Sequence, residues 1–195
     1  MSTTKCVTLA DIDQALSCED QDNMGGLVPQ IIYFYHEDVK TWPDKPAVAE
    51  AVIPTLEVAG EWKGDLVMAT GAKAYKMDFT DDTGEFKITP QGEDGGMSFL
   101  YELSIISAKI RKQILGFMNA CKGRKMGFIV QDNNGNYYLM GDKNRGAKLA
   151  SGDGSTTGAN ATARNQTTMK FQYNCPRALI YDGDVINILT AAAGA

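Results

Sequence analysis

The sequence contains a single histidine, His36, and this scarcity limits the enzyme chemistry open to the chain. A Ser-His-Asp or Cys-His arrangement would have to use it, because only histidine titrates near neutrality with an unperturbed pKa. His36 follows the apolar run Leu27–Tyr35 and precedes Glu37 and Asp38, so we interpret it as a solvated side chain at a strand end. One histidine and the absence of a C-x-x-C pair also disfavour a zinc site.

Long apolar runs and an export signal are lacking as well. Met1–Leu16 has no apolar core of the length that a secretory signal requires. No apolar run approaches the ~20 residues that span a bilayer, so we expect no membrane contact. In such a chain we interpret the scattered cysteines as reduced core residues rather than disulfides or metal ligands. They are Cys6, Cys18, Cys121 and Cys175.

Basic residues are too few and too dispersed to form a block. The chain has 19 Lys and Arg against 24 Asp and Glu, and its net charge is −5. Tight binding to a phosphate backbone depends on clustered Lys and Arg, which argues against that function but allows a surface that nucleic acid merely passes. The acidic groups lie beside glycines in predicted turns, where Asp favours the local backbone geometry. The sequence therefore favours no enzyme and requires no cofactor.

What is present is a central unit, Ser98–Gly141, whose pattern predicts strand, helix, strand, turn and strand. Ser98–Ile106 is rich in aromatic and branched residues and suits a half-buried strand, and Ser107 can cap the next element. The Asn-Gly pair at 134–135 lies between apolar runs and predicts a tight hairpin. We expect the helix to pack on the sheet through residues at helical spacing, namely Ile110, Ile114, Phe117 and Met118.

Further apolar segments predict more β-structure around that unit. Leu27–Tyr35 is a strand candidate, and Leu56–Thr89, punctuated by glycines, is typical of a β-meander. Thr167–Tyr173 alternates apolar and polar residues, as a half-buried strand does. We expect Ala178–Tyr181 and Val185–Leu189 to complete the sheet. The length of 195 residues and an apolar content of 44% predict one structural domain over residues 1–195, mainly β with one packed α-helix.

Two segments have too little apolar content for a packed element. Residues 37–54 hold Pro43, Pro46 and Pro54, and we predict an extended, proline-containing loop with little regular structure. Residues 141–165 are dense in Gly, Ala, Ser, Thr and Asn, which predicts a polar, glycine-rich loop that is mobile or ordered at an interface.

The order of these motifs resembles that of tail tube proteins of long-tailed bacteriophages and related virion structural subunits. The resemblance covers most of Cys18–Asp184. In chain order it consists of Cys18, Gly25-Gly26, LVPQIIYFY ending in HEDV, KMDFTDDTGEF, QGEDGGMSFLYELSI, IRKQILGFMNAC, GFIVQDNNGNYYLMGD, GDGSTTGANATARNQTTMKFQY and CPRALIYDGD.

The resemblance implies a β-sandwich or small β-barrel of tail-tube type with extended loops. Six subunits would form a ring, inner sheets would join into a β-lined channel, and rings would stack into a tube in the virion tail. It also implies assembly with other tail proteins, synthesis in the host bacterial cytoplasm and transient, non-specific passage of DNA. A negative bore would let DNA slide. The acidic candidates for the lumen are Asp78, Asp81, Asp82, Glu85 and Glu102.

In such an assembly the two low-order segments would supply contacts between subunits, because a neighbour can provide the buried area that they lack. The candidate contact residues are Trp42, Pro43, Pro46, Val48, Val52, Asp153, Thr156, Asn160 and Arg164. The alternative from another class is a carbohydrate- or ligand-binding β-sandwich module. Its platform would be Trp42, Trp62 and the tyrosines, on whose rings a sugar or base could stack.

Overall fold

The computed structural model describes residues 7–12, 23–46, 54–152 and 154–190. These form a mainly β fold, 42% strand and 12% helical, with sheets packed as in a sandwich and no closed barrel in the described part. The expected mainly β class is confirmed. The strands are β1 Leu27–Tyr35, β2 Val39–Thr41, β3 Val67–Met68, β4 Tyr75–Asp78, β5 Glu85–Gln91, β6 Ser98–Ala108, β7 Met126–Asp132, β8 Tyr137–Met140, β9 Lys148–Leu149, β10 Ser155–Thr156 and β11 Gln166–Cys175. The helices are α1 Leu56–Ala59 and α2 Lys112–Cys121, and 3-10 turns cover His36–Asp38 and Asn187–Leu189.

The four-stranded sheet has the order β4-β1-β7-β8 and is antiparallel throughout. Its central strand β1 has the predicted bounds. The predicted hairpin joins β7 to β8, and Gly135 at its turn has φ 94°, a backbone conformation that glycine adopts without steric cost. Both Asn134 and Asn136 donate backbone N–H groups to the Asp132 carboxylate, which fixes the turn.

The five-stranded sheet has the order β10-β11-β6-β5, and β9 pairs with β11 beside β10. Its centre is a long ladder in which Gln166–Cys175 pairs with residues 99–108 without a register shift. Alternate residues of β6 and β11 face the core, so the predicted half-buried strand Thr167–Tyr173 is confirmed and extended at both ends. The side chains on the opposite face of the sheet are polar or partly exposed.

Aromatic rings join the two sheets. Phe128 of β7 meets Phe171 of β11 with ring centroids 4.4 Å apart. Phe117 of α2 lies 4.8 Å from the ring of Tyr33 and 6.0 Å from that of Phe171, so the helix packs against both sheets at one side of the sandwich. Ile114 and Cys121 are buried on the same helix, in keeping with the expected apolar stripe. No described helix has the length and hydropathy needed to cross a membrane.

The helix begins later than the sequence predicts. Ile110 lies before α2. Ser107 does not cap the helix: it is a buried residue of β6, and its hydroxyl accepts a hydrogen bond from Arg111. Lys109, with φ 63°, turns the chain out of β6. The Asn165 side chain then accepts the Ile110 N–H at 2.8 Å, so a residue 55 positions away fixes the entry to the helix.

The predicted meander over Leu56–Thr89 is wrong. Its strands pair with partners outside the segment: β3 with β2, β4 with β1 and β5 with β6. Leu56–Ala59 is instead a second, short helix capped by the Thr55 side chain. Long-range pairing has overridden the local order of the strands, as is common in sheets.

The two predicted C-terminal strands are also absent from the described residues. Ile180 and Tyr181 form only isolated bridges, to Glu61 and Tyr137, and Asn187–Leu189 is a 3-10 turn. This segment packs beside Trp62 and Leu66: the Trp62 N–H donates to the Ile180 carbonyl at 2.9 Å, and the Tyr181 hydroxyl accepts the Leu66 N–H at 3.0 Å. Buried residues are consecutive in β1 and β7 but alternate in β6 and β11. Among the described residues the four-stranded sheet is therefore covered on both faces, and the five-stranded sheet on one.

Two of the cysteines can be placed. Cys121 and Cys175 are buried and form no disulfide among the described residues, so their predicted place in the core is confirmed. Burial raises the pKa of the Cys121 thiol to about 12, so it is protonated at neutral pH and a poor nucleophile. Cys6 and Cys18 lie outside the described residues.

Candidate functional site

One face of the five-stranded sheet, here called the open face, is covered by no other described element. The register places charged side chains on this face in neighbouring strands, because directly paired residues point to the same side. They are Glu85 and Lys87 of β5, Glu102 of β6, Lys170 of β11 and Lys148 of β9. Polar, uncharged residues such as Ser104 and Gln172 separate them.

Most of these charges are neutralised on the face itself. Lys170 Nζ lies 2.7 Å from Glu102 Oε1, and the hydrogen bond from Lys170 holds the pKa of Glu102 below its usual value. Lys87 Nζ lies 2.9 Å from Glu85 Oε1, a pair that is largely exposed and contributes little stability. Three lysines and two glutamates share this face, so acidic side chains do not outnumber basic ones on it.

The predicted lumen residues do not form one surface. Glu85 and Glu102 share the open face, but Asp78 lies on β4 in the other sheet, where it accepts a 2.8 Å hydrogen bond from Gln30. Asp81 and Asp82 lie in the turn that leads from β4 to β5, and Asp82 has a positive φ of 56°. Asp78 and Glu85 are close in the sequence, but the chain passes from one sheet to the other between them.

The two edges of the five-stranded sheet differ in form. On one side β5 offers seven residues whose outer backbone edge has no strand partner in the described ranges. On the other side β9 and β10 both pair with β11, Leu149 opposite Phe171 and Ser155 opposite Thr167. The step of six residues from Leu149 to Ser155 thus matches a step of four residues along β11, which makes this edge a bulged one.

This bulged edge corrects the expectation that residues 141–165 form only a loop. Two short strands and buried groups occur in it: Ala147 and the Asp142 side chain lie in the core. The predicted contact residues Thr156, Asn160 and Arg164 are exposed on this side of the molecule. Asp153 lies outside the described residues.

Asp142 is the centre of a buried polar cluster. Its carboxylate, in a residue only 5% exposed, contacts Lys45 Nζ at 2.5 Å and accepts the Tyr173 hydroxyl at 2.9 Å. The backbone N–H groups of Asn144 and Arg145 donate to the same carboxylate at 2.8 Å each. Burial opposes ionisation, but these hydrogen bonds, with that of Lys45 the largest, hold the pKa of Asp142 below its usual value.

The same cluster holds His36, which is partly buried rather than solvated. Its Nε2–H donates to the Asp142 carbonyl at 2.7 Å, and its ring lies 4.9 Å from that of Trp42. Neither contact provides the carboxylate–histidine–nucleophile geometry of a catalytic triad. The histidine instead helps to anchor the loop that contains Asp142.

The proline-containing segment is packed within its own subunit up to residue 46. Trp42 contacts Phe34, and Pro43 and Pro46 are buried. Arg177 donates to the Pro46 carbonyl, and Asp44 exchanges backbone hydrogen bonds with Lys63. Trp42, Pro43 and Pro46 therefore make contacts within the subunit, and their role between subunits stays a prediction. Val48 and Val52 lie outside the described residues.

The tryptophans do not form the platform that the ligand-binding alternative needs. Trp62 is 3% exposed, and the partly buried Trp42 packs against Phe34, His36 and Gly141. Aromatic side chains instead line a groove of about 600 Å³ between α2 and the β1–β4 pair, with walls that include Tyr33, Tyr35, Tyr75 and Phe117.

Comparisons with known proteins give no further guide. No family model matches the chain, and neither a curated protein nor a solved structure matches it. The resemblance to tail tube proteins therefore rests on the order of motifs in the sequence.

Proposed function

We propose that this chain is a self-assembling virion structural protein, the tail tube subunit of a long-tailed phage, and not an enzyme. Its copies form hexameric rings that stack around a channel through which DNA passes. The observation that carries the proposal is the five-stranded sheet, which within the described ranges has two edges without a further strand and one uncovered, largely polar face. Such a subunit needs no cofactor, is made in the bacterial cytoplasm, and joins other tail proteins in the virion.

The unpaired edges supply the ring contact. An exposed strand edge carries backbone donors and acceptors that can pair with another chain. Because β5 and the bulged β9–β10 edge lie on opposite sides of one sheet, pairing β5 of one copy with β9–β10 of the next is head-to-tail. A head-to-tail contact generates a closed ring or a continuing filament, whereas a contact between identical patches stops at a dimer.

The open face suits the channel wall. The affinity of a protein for DNA rises with the number of unpaired Lys and Arg side chains that can neutralise its phosphates. Lys87 and Lys170 are paired with glutamates on the same face, which leaves Lys148 as the lysine of this face without such a pair among the described residues. DNA would therefore meet a nearly neutral, polar wall rather than the negative one that the overall charge suggested.

Ser155 offers a test of the edge contact. Thr168 N–H donates to the Gly154 carbonyl at 3.0 Å, so the backbone of Gly154 faces β11 and that of Ser155 faces outward. Ser155→Pro removes an outward donor without removing a bond to β11. Ser155→Ala is the matched control, since both variants lose the 2.9 Å contact with the Thr167 hydroxyl but only proline loses the N–H.

We expect Ser155→Pro to remain folded and to weaken assembly by about tenfold or more in concentration, as light scattering across a dilution series would show. Ser155→Ala should assemble as the wild type does. Equal assembly of both variants would exclude the β10 edge from the contact.

The second candidate, a ligand-binding module, is supported only by the tyrosine-walled groove. Aromatic side chains can stack on sugars or bases without sequence-specific polar contacts. A monomeric protein that binds glycans on an array, and loses binding in Tyr75→Ala but not in Tyr75→Phe, would favour this candidate over assembly.

A further inference from the structure

An exposed apolar segment precedes the sandwich. Residues 7–12, here called the arm, contain Leu9 and Ile12, and each of these side chains is 83% exposed. The arm is held by a hydrogen bond from the Thr8 N–H to the Pro54 carbonyl at 2.9 Å. Two large aliphatic side chains so fully exposed on one short segment indicate a surface that another surface covers.

The groove between α2 and the β1–β4 pair is open in the same molecule. Its floor and walls include the buried Ile114, the partly buried Tyr33 and Phe117, and Tyr75, which is half exposed on β4. β4 is also the outer strand of the four-stranded sheet, so its backbone has one edge without a strand partner in the described ranges. The groove thus offers both apolar contact and backbone hydrogen bonds to an extended chain.

The charges of the two surfaces are complementary. Asp11 is the charged residue of the arm, whereas Lys76 and Arg111 outnumber Asp78 along the groove. A negatively charged segment with aliphatic side chains therefore fits a groove with aromatic walls and a net positive rim.

We propose that the arm of one copy lies in the groove of a neighbouring copy, with Leu9 and Ile12 against the aromatic walls and Asp11 near Lys76 and Arg111. The inference rests on the proposed function, because it requires copies to associate. Arm and groove are different parts of the chain, so each copy can donate its arm to one neighbour and receive the arm of another. This contact does not compete with the sheet edges for β5 or β10.

A photo-crosslinking amino acid at position 9 tests the proposal in the assembled full-length protein. Unlabelled copies that carry the crosslinker are mixed equally with ¹⁵N-labelled wild-type copies before assembly, and the crosslinked peptides are identified by mass spectrometry. We expect crosslinks to peptides containing residues 75–78 or 111–120, and mixed isotope pairs among them. Crosslinks only within one copy, or only to other surfaces, would overturn the proposal.

A double variant gives an independent readout. Leu9→Ser with Ile12→Ser should raise the concentration for half-maximal assembly by about tenfold or more, because the side chains are exposed in the monomer and matter only in the contact. Ile186→Ser, at a side chain 75% exposed, is the matched control. Unchanged assembly of the double variant contradicts the arm contact but not the tube. Failure of the wild type to associate at all contradicts both.

Discussion

Replacing Ile114 with aspartate is expected to unfold the domain. Ile114 is 4% exposed on α2, next to Phe117, whose ring meets aromatic rings of both sheets. The substitution removes a buried aliphatic group and places a carboxylate at a position almost closed to solvent. We expect a loss of at least about 4 kcal/mol, a large part of the roughly 5–15 kcal/mol that stabilises a typical domain.

The neighbouring Leu115 provides the control, because it is 40% exposed on the same helix. Leu115→Asp carries the same charge and a similar change in helix propensity, and should lose less than about 1 kcal/mol. Urea denaturation followed by tryptophan fluorescence, to which the buried Trp62 contributes, compares the two variants. A soluble Ile114→Asp protein with the wild-type unfolding midpoint would show that α2 does not pack as described.

Replacing Asp142 with alanine is expected to be nearly as damaging. The change leaves two backbone N–H groups, the Tyr173 hydroxyl and Lys45 without their shared acceptor. Removal of one partner from a buried ion pair typically costs about 3–5 kcal/mol. Asp142→Asn retains an oxygen for the backbone donors but loses the charge, so its unfolding free energy should lie between those of the alanine variant and the wild type.

A fall in pH should separate the contribution of the Asp142 charge to stability from that of its hydrogen bonds. The folded-state pKa of Asp142 is lowered, so its contribution is complete above the ordinary carboxyl pKa of about 4 and is lost as the pH falls through the folded value. The stability of the wild type should therefore fall more steeply below about pH 4 than that of Asp142→Asn. Parallel pH profiles, or an alanine variant as stable as the wild type, would refute the role given to this carboxylate.

The sequence was most informative where local patterns decide the structure. Leu27–Tyr35 was bounded correctly because an apolar run with few polar interruptions suits a strand buried on both faces. The hairpin was found because an Asn-Gly turn has few alternatives. The apolar stripe of α2 is predicted by its helical period. The prediction also places Ile110 in the helix, which begins only at Lys112, because the positive φ of Lys109 cannot be read from the composition.

Contacts between distant residues escaped prediction. Asp142 lies in a segment whose composition is typical of a loop, and its partners Lys45 and Tyr173 are 97 and 31 residues away. For the same reason the packing of Trp42 and Pro43 was missed, since proline predicts extended backbone but not what covers it. The charge of the open face was also beyond reach, because a net charge does not say which side chains share a surface.

Electron microscopy of the purified full-length chain, negatively stained after concentration, tests the central claim most directly. The proposed edge-to-edge pairing of five-stranded sheets predicts sixfold rings with an open centre, and stacks of such rings as the concentration rises. A uniform population of single particles of about 21.1 kDa at all concentrations would contradict it.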